Sequence, residues 1–265
     1  MDQFRPSRFE VLPLVVKNLL IINGLVFLGS FAYENFYHSD LSDLLALRYI
    51  TSPDFKPYQL ITHMFMHANF MHLFSNMFSL WMFGSVLENV WGPKRFLIFY
   101  MICGLGGALC HMVATGFELH QMDVAFKFFL SHPDQEQFMV LLKKYPPPYE
   151  LSTALNGVTN IHEAIHFTMQ LYRVYENTGA VGASGAVFGV LVGFGMLFPN
   201  TVLYMIFIPI PIKAKYFVIF YAAFELYAGI SGTEAGVAHF AHLGGAALGF
   251  ILVKLWNKSN RTDFF

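Results

Sequence analysis

An all-α membrane protein is the fold class this sequence predicts, a bundle of six transmembrane helices with an extramembrane helical insertion between the third and fourth. Three observations predict it. Of 265 residues, 55% are hydrophobic and only 12% charged, with a mean hydropathy of +0.49, whereas soluble domains carry about 25% charged residues. Apolar runs recur at lengths that suit a hydrocarbon layer about 30 Å thick. Phe (30) and Tyr (13) are abundant, as they are at lipid-facing and interfacial positions.

The first apolar run, about Asn18 to Tyr33, follows Arg5, Arg8 and Lys17. It lacks a small-residue cleavage site and more spans follow, so it reads as a retained helix rather than a signal peptide. Residues 34–60 are mixed, with Asp40, Asp43, Arg48, Pro53, Asp54, Lys56 and Pro57, and predict an interfacial loop with short helical turns. The second span covers about Asn69 to Val90. The basic turn Trp91-Gly92-Pro93-Lys94-Arg95 leads to a third span of about 96–114, whose Cys103 and Cys110 share one helix face and read as packing thiols. Residues 116–178 turn polar and carry Pro146-Pro147-Pro148. They predict an extramembrane insertion with helices over 121–130, 135–144 and 161–176, set within a single membrane domain of 1–265. The fourth span, about 182–198, stops at Pro199-Asn200. A loop with Pro209, Pro211, Lys213 and Lys215 precedes a fifth span of about 215–230. A turn through Gly229–Gly236, a sixth span of about 237–256 and a basic tail (Lys254, Lys258, Arg261) complete the series.

With the N-terminus inside, ten of the sixteen Lys and Arg fall in short inner segments, and four of the other six lie in the long insertion. Long segments weigh little in the positive-inside rule. Both termini are therefore expected in the cytoplasm and the insertion outside, in a multi-pass protein of a bacterial inner membrane.

The chemistry starts at Gly182-Ala183-Ser184-Gly185-Ala186-Val187-Phe188-Gly189. One reading is helix packing, since Gly185, Gly189 and Gly193 form a small-residue stripe that lets membrane helices approach closely. The other makes Ser184 a nucleophile at a helix N-terminus, where free backbone N–H groups and the dipole favour a developing oxyanion. Such a serine needs a base. His242 in the last span supplies a candidate, because an ionisable residue inside a membrane is costly without a function or a partner. Gly245 and Gly249 follow it at +3 and +7, a face on which the Ser184 helix could dock. His239, three residues earlier, reads as a capping or interfacial polar group. His72 and Asn76, at i and i+4, share a helix face. They are either a satisfied polar pair between helices or two donors aimed at one oxyanion. His63 and His67 are similarly spaced; without a following acidic or cysteine ligand they read as loop-bracing hydrogen bonds rather than a metal site.

Three motifs, in order on spans two, four and six, resemble those of the rhomboid intramembrane serine proteases. They are His72-Leu73-Phe74-Ser75-Asn76, Gly182-Ala183-Ser184-Gly185 and His242-Leu243-Gly244-Gly245-Ala246-Ala247-Leu248-Gly249. The likeness extends to His63, His67 and Gly84-x-x-x-Glu88-x-x-x-Gly92. It implies a catalytic dyad without an acid, Ser184 as nucleophile and His242 as base, in a water-filled cavity open to the outside. His72, Asn76 and the Ser184 N–H would form the oxyanion hole, supported by Gly182, Gly185 and Phe188. It implies transmembrane protein substrates in the lipid bilayer, cut near the outer face, and neither cofactor nor metal. Two positions depart from the family pattern: Tyr58-Gln59 stands where a Trp-Arg pair is usual, and Phe188 where a tyrosine is frequent. The alternatives are an inactive relative that binds membrane clients, a histidine-rich metal enzyme, for which His-Glu-x-x-His is missing, and a transporter, for which inverted halves are missing.

Overall fold

The computed structural model describes residues 9–204, 211–231 and 238–259. Within them the chain is mainly helical and divides into two compact units. One comprises the chain up to Leu47, Pro57–His111 and Ala180 onward; the other comprises Arg48–Lys56 and Met112–Gly179.

In the first unit, α1 (Leu14–Tyr37) is followed by the short α2 (Ser42–Leu45) and α3 (Gln59–Thr62), which runs into a 3₁₀ turn at His63–Phe65. Next come α4 (Phe70–Ser79), a π-helical turn (Leu80–Gly84) and α5 (Ser85–Trp91), one uninterrupted helical stretch. Helix α6 starts at Pro93, beyond Gly92, whose φ of 80° suits a glycine. It runs to Ser131. The third predicted helix was to stop near 114, with a separate helix over 121–130. Instead α6 covers both, because nothing between Gly116 and His132 breaks a helix and the first proline after it is Pro133. The rise in polarity near 115 does not end the helix.

The second unit holds α7 (Gln135–Lys144), α8 (Tyr149–Leu155) and α9 (Ile161–Asn177). Two of these match the predicted 135–144 and 161–176, and each has a side-chain cap. Asp134 accepts the Gln137 N–H at 2.7 Å, and Asn160 with Glu163 forms a reciprocal capping box. Helix α8, after the three prolines, was not predicted. The core here is Met122, Phe126, Phe129, Phe138, Leu141, Phe167 and Leu171.

Back in the first unit, α10 (Ser184–Leu197) is buried continuously from Gly185 to Gly195, as a helix apolar on every face should be. A two-stranded antiparallel ribbon follows, β1 (Val202–Tyr204) with β2 (Pro211–Lys213), Leu203 opposite Ile212, so the all-α class carries one small exception. Then come α11 (Ala214–Ser231) and α12 (His239–Ser259). Helices thus stand at all six predicted positions. Four of them, Leu14–Tyr37, Phe70–Trp91, Pro93–Ser131 and His239–Asn257, are long and apolar enough to cross a membrane. Pro209 and most of the predicted 229–236 turn lie outside the described residues, as do Arg5, Arg8, Arg261 and the Lys258 side chain.

Glu88 ties this unit together at one end. Pro13, ahead of α1, has no side chain to cap the helix. The buried Glu88 carboxylate does so from α5, accepting the Val15 and Val16 N–H groups at 2.8 Å each. Charge at a helix N-terminus and charge-assisted hydrogen bonds both favour the arrangement.

Candidate active site

The segment leading to Ser184 is fixed by backbone hydrogen bonds. Leu47 and Ala180 exchange a pair, 2.9 and 3.0 Å, and the Gly182 N–H donates to the His63 carbonyl at 2.9 Å. Gly182 has φ of +131°, a conformation that side-chain-bearing residues rarely adopt. A Cβ there would also come within 2.8 Å of His72 Nε2 and 3.5 Å of Ser184 Oγ. His72 and Ser184 therefore flank one small space over the Gly182 backbone. Ser184 opens α10, so the first N–H groups of that helix lack partners within it. A cavity of about 20 Å³, room for about one water, adjoins Ser184 and is lined in part by His63, His111, Gly107 and Ala241.

Helix α12 meets α10 backbone to backbone. A Cβ on Gly185 would lie 3.2 Å from the Ala241 carbonyl oxygen. One on Gly245 would run into the Gly185 carbonyl, and one on Gly249 would lie 2.8 Å from that of Gly189. The small faces that follow Ser184 and His242 are thus the packed faces. Since Gly185 meets Ala241, Ser184 and His242 stand at the same level on adjoining helices. One turn along from Ser184, Phe188 lies flat on the His242 ring, centroids 4.3 Å apart and planes within 5°.

His72 and Asn76 share one face of α4, which Asn69 caps by accepting the His72 N–H at 2.8 Å. The buried Asn76 amide donates one N–H to the His72 carbonyl at 2.9 Å, leaving the amide's second N–H for other work. His63 is buried, with Nδ1 2.8 Å from the Gln59 carbonyl; burial lowers its pKa to about 4. The His67 ring is buried and packs edge-on against that of His72, centroids 5.0 Å apart. Burial, with repulsion from His72, lowers its pKa to about 4. Gln59, where an arginine is usual, is fully buried and donates to the Leu44 carbonyl at 3.2 Å, so this loop is anchored through an amide.

One residue of the site went unforeseen. Glu225 of α11 is only 3% exposed. His242 Nδ1 lies 2.8 Å from its Oε2, and His239 Nδ1 lies 2.7 Å from the same oxygen. His239 does open α12, yet its ring is directed at this carboxylate. A lone acid amid the fifth apolar run was the available signal, since ionisable groups in membrane helices are costly unless paired. Among the described residues these three side chains are the one group with metal-binding donors close together, all within 4.8 Å. Their spacing is that of two N–H donors sharing one acceptor.

The Rhomboid domain family model matches residues 54–120 and 154–258, well over half of the chain. Rhomboid protein 1, mitochondrial, of Saccharomyces cerevisiae is 27% identical over 215 residues, 78% of this chain and 43% of that protein. RHOMBOID-like protein 12, mitochondrial, of Arabidopsis thaliana is 27% identical over 246 residues, 92% of this chain and 57% of that protein. The chain spans about half the length of these relatives. Taken with helices suited to a membrane and with the motifs that meet around Ser184, the extent of the family match means that this chain belongs to the rhomboid family.

Proposed function

We propose that the protein is an intramembrane serine endopeptidase that cuts transmembrane helices near the outer membrane face. Ser184 attacks the scissile carbonyl and His242 takes its proton, then returns it to the leaving amine; water deacylates the enzyme. His72 Nε2, the free N–H of Asn76 and the Ser184 N–H would receive the oxyanion, with Gly182 and Gly185 giving the substrate backbone room and Phe188 holding the imidazole. Neither cofactor nor metal enters these steps.

The observation that supports the reading is the close approach of Gly185 to Ala241, the sequence neighbours of Ser184 and His242. Depth supports it too. Fourteen residues of α10 rise about 21 Å, short of a hydrocarbon core of about 30 Å, so a helix anchored at its far end starts below the surface. Irregular backbone at such depth survives where protein or water covers it, as the Leu47 and His63 hydrogen bonds do here.

The six helices are taken as membrane segments, α10 starting within the bilayer, with both termini on the side that collects Lys94, Arg95, Lys213 and Lys215 and with residues 116–178 on the other. The relatives above are named for mitochondria, so they lend no support to a bacterial inner membrane. Labelling with a fluorophosphonate tests the assignment: the protein should be labelled and Ser184→Ala should not. Absence of labelling in the parent would favour a client-binding, inactive rhomboid.

A further inference from the structure

We infer that Glu225 is the positioning residue of the catalytic histidine, so that the reacting unit is Ser184–His242–Glu225, with His239 as a second donor to the same carboxylate. The inference rests on the serine-protease reading of the site and departs from the acid-free dyad that family resemblance implies.

Three facts carry it. The 2.8 Å contact joins Glu225 to Nδ1 of His242. An ionised carboxylate only accepts, so the proton sits on Nδ1 and Nε2 is left as the basic nitrogen. Glu225 and His242 are both buried, where an unpartnered ion would cost several kcal/mol. Finally, two imidazole donors converge on one oxygen, which stabilises the carboxylate in its ionised, accepting form without a cation. With Phe188 on one face of the ring and Glu225 at its edge, rotation of the imidazole is checked about both axes.

The proton traffic then balances. As the Ser184 Oγ–C bond forms, the Oγ proton moves to His242 Nε2, and the Nδ1 proton remains between His242 and Glu225. The imidazolium forms opposite a carboxylate that is already ionised. Nε2 returns its proton to the amine as the C–N bond breaks. In deacylation Nε2 takes a proton from water as the oxygen bonds to the acyl carbon, then gives it to the departing Ser184 Oγ.

A brace between α11 and α12, or a cation site, would use the same three side chains, so the test must separate them. Glu225→Gln keeps the size and removes the charge; in a serine protease with a known triad such an exchange costs about 10⁴-fold. Here kcat on a reconstituted transmembrane substrate should fall about 10²- to 10⁴-fold, with KM within about threefold and the melting temperature retained. Glu225→Asp should recover at least about tenfold of that loss, and His239→Gln should cost less than about tenfold. Near-parental kcat in Glu225→Gln, or Glu225→Asp no better than Glu225→Gln, would make Glu225 a brace and overturn the inference. So would loss of parental activity on chelation, which would assign the cluster to a metal. Turnover by Ser184→Ala would instead defeat the protease reading itself.

Discussion

Phe188 lies flat against His242, with 4.3 Å between ring centroids and 5° between planes. A tyrosine is frequent at this position in the family, so the stacking face, not a phenol hydroxyl, is what this chain retains. Stacked aromatic pairs contribute about 0.5–1.5 kcal/mol beyond their buried area. Phe188→Leu should therefore lower kcat about 2- to 12-fold with a similar melting temperature, and Phe188→Tyr should keep the parental rate. Full activity in the leucine variant would show that the stack does not orient the ring.

On the proposed mechanism, the donors on α4 matter most when the oxyanion forms. His72→Ala and Asn76→Ala should each reduce acylation about 10- to 1000-fold, read by fluorophosphonate labelling kinetics. Because Asn76 also bonds the His72 carbonyl, its variant should lose some thermal stability, while His72→Ala should lose less. Unchanged labelling rates in both would return the two residues to packing roles.

Close approach of α10 and α12 makes a size prediction. In Gly245→Ala the new methyl meets the Gly185 carbonyl, and overpacking of this kind costs about 1–3 kcal/mol. Its melting temperature in detergent should drop and its activity with it. Gly24 of α1 has nothing within 4 Å of an added Cβ, so Gly24→Ala should be neutral or stabilising, by up to about 1 kcal/mol.

Acid should weaken the fold through the segment that carries His63 and His67. His63 has its pKa lowered from 6.5 to about 4 by burial, so the folded protein holds it neutral while the unfolded chain charges it below pH 6.5. The stability it contributes is complete above pH 6.5 and is lost as pH falls through about 4. That loss is on the order of 3 kcal/mol. His67 shifts in the same direction. Melting curves should flatten between pH 6.5 and 4 in a His63→Asn, His67→Asn double variant; parental steepness there would assign the acid response to other groups.

Substrate choice should follow helix stability. A transmembrane helix keeps its carbonyls bonded within itself, yet on the proposed mechanism Ser184 attacks one presented in extended form. Glycine and proline weaken a helix by about 1 and 3 kcal/mol relative to alanine. Substrates with such residues beyond the cut, and a small residue just before it, should be cleaved faster than all-leucine counterparts. Equal turnover would rule out selection by unwinding.

Much of the site was legible because its determinants are local. Spacings of three and four put His72 with Asn76, and Gly245 on the face of His242, whatever the rest of the chain does. Glu225 was not legible, since its meaning depends on α11 lying beside α12 and on two histidines turning toward it. Polarity also misled at residue 115: it reports what surrounds a helix, while glycine and proline report where one stops, and α6 continued to Ser131. The ribbon of Leu203 and Ile212 pairs two three-residue segments, too short for periodicity to register.

The Glu88 carboxylate that caps α1 also sets an order of events during synthesis. Val16 leaves the ribosome 72 residues before Glu88 does, a gap of roughly 4–14 s at 5–20 residues per second. Throughout that interval the first span is without the acceptor its leading amides finally use, and water or lipid headgroups have to serve. The nascent helix finds its lasting partner only once α5 has been made, so its N-terminus is completed by a residue that does not yet exist when it emerges.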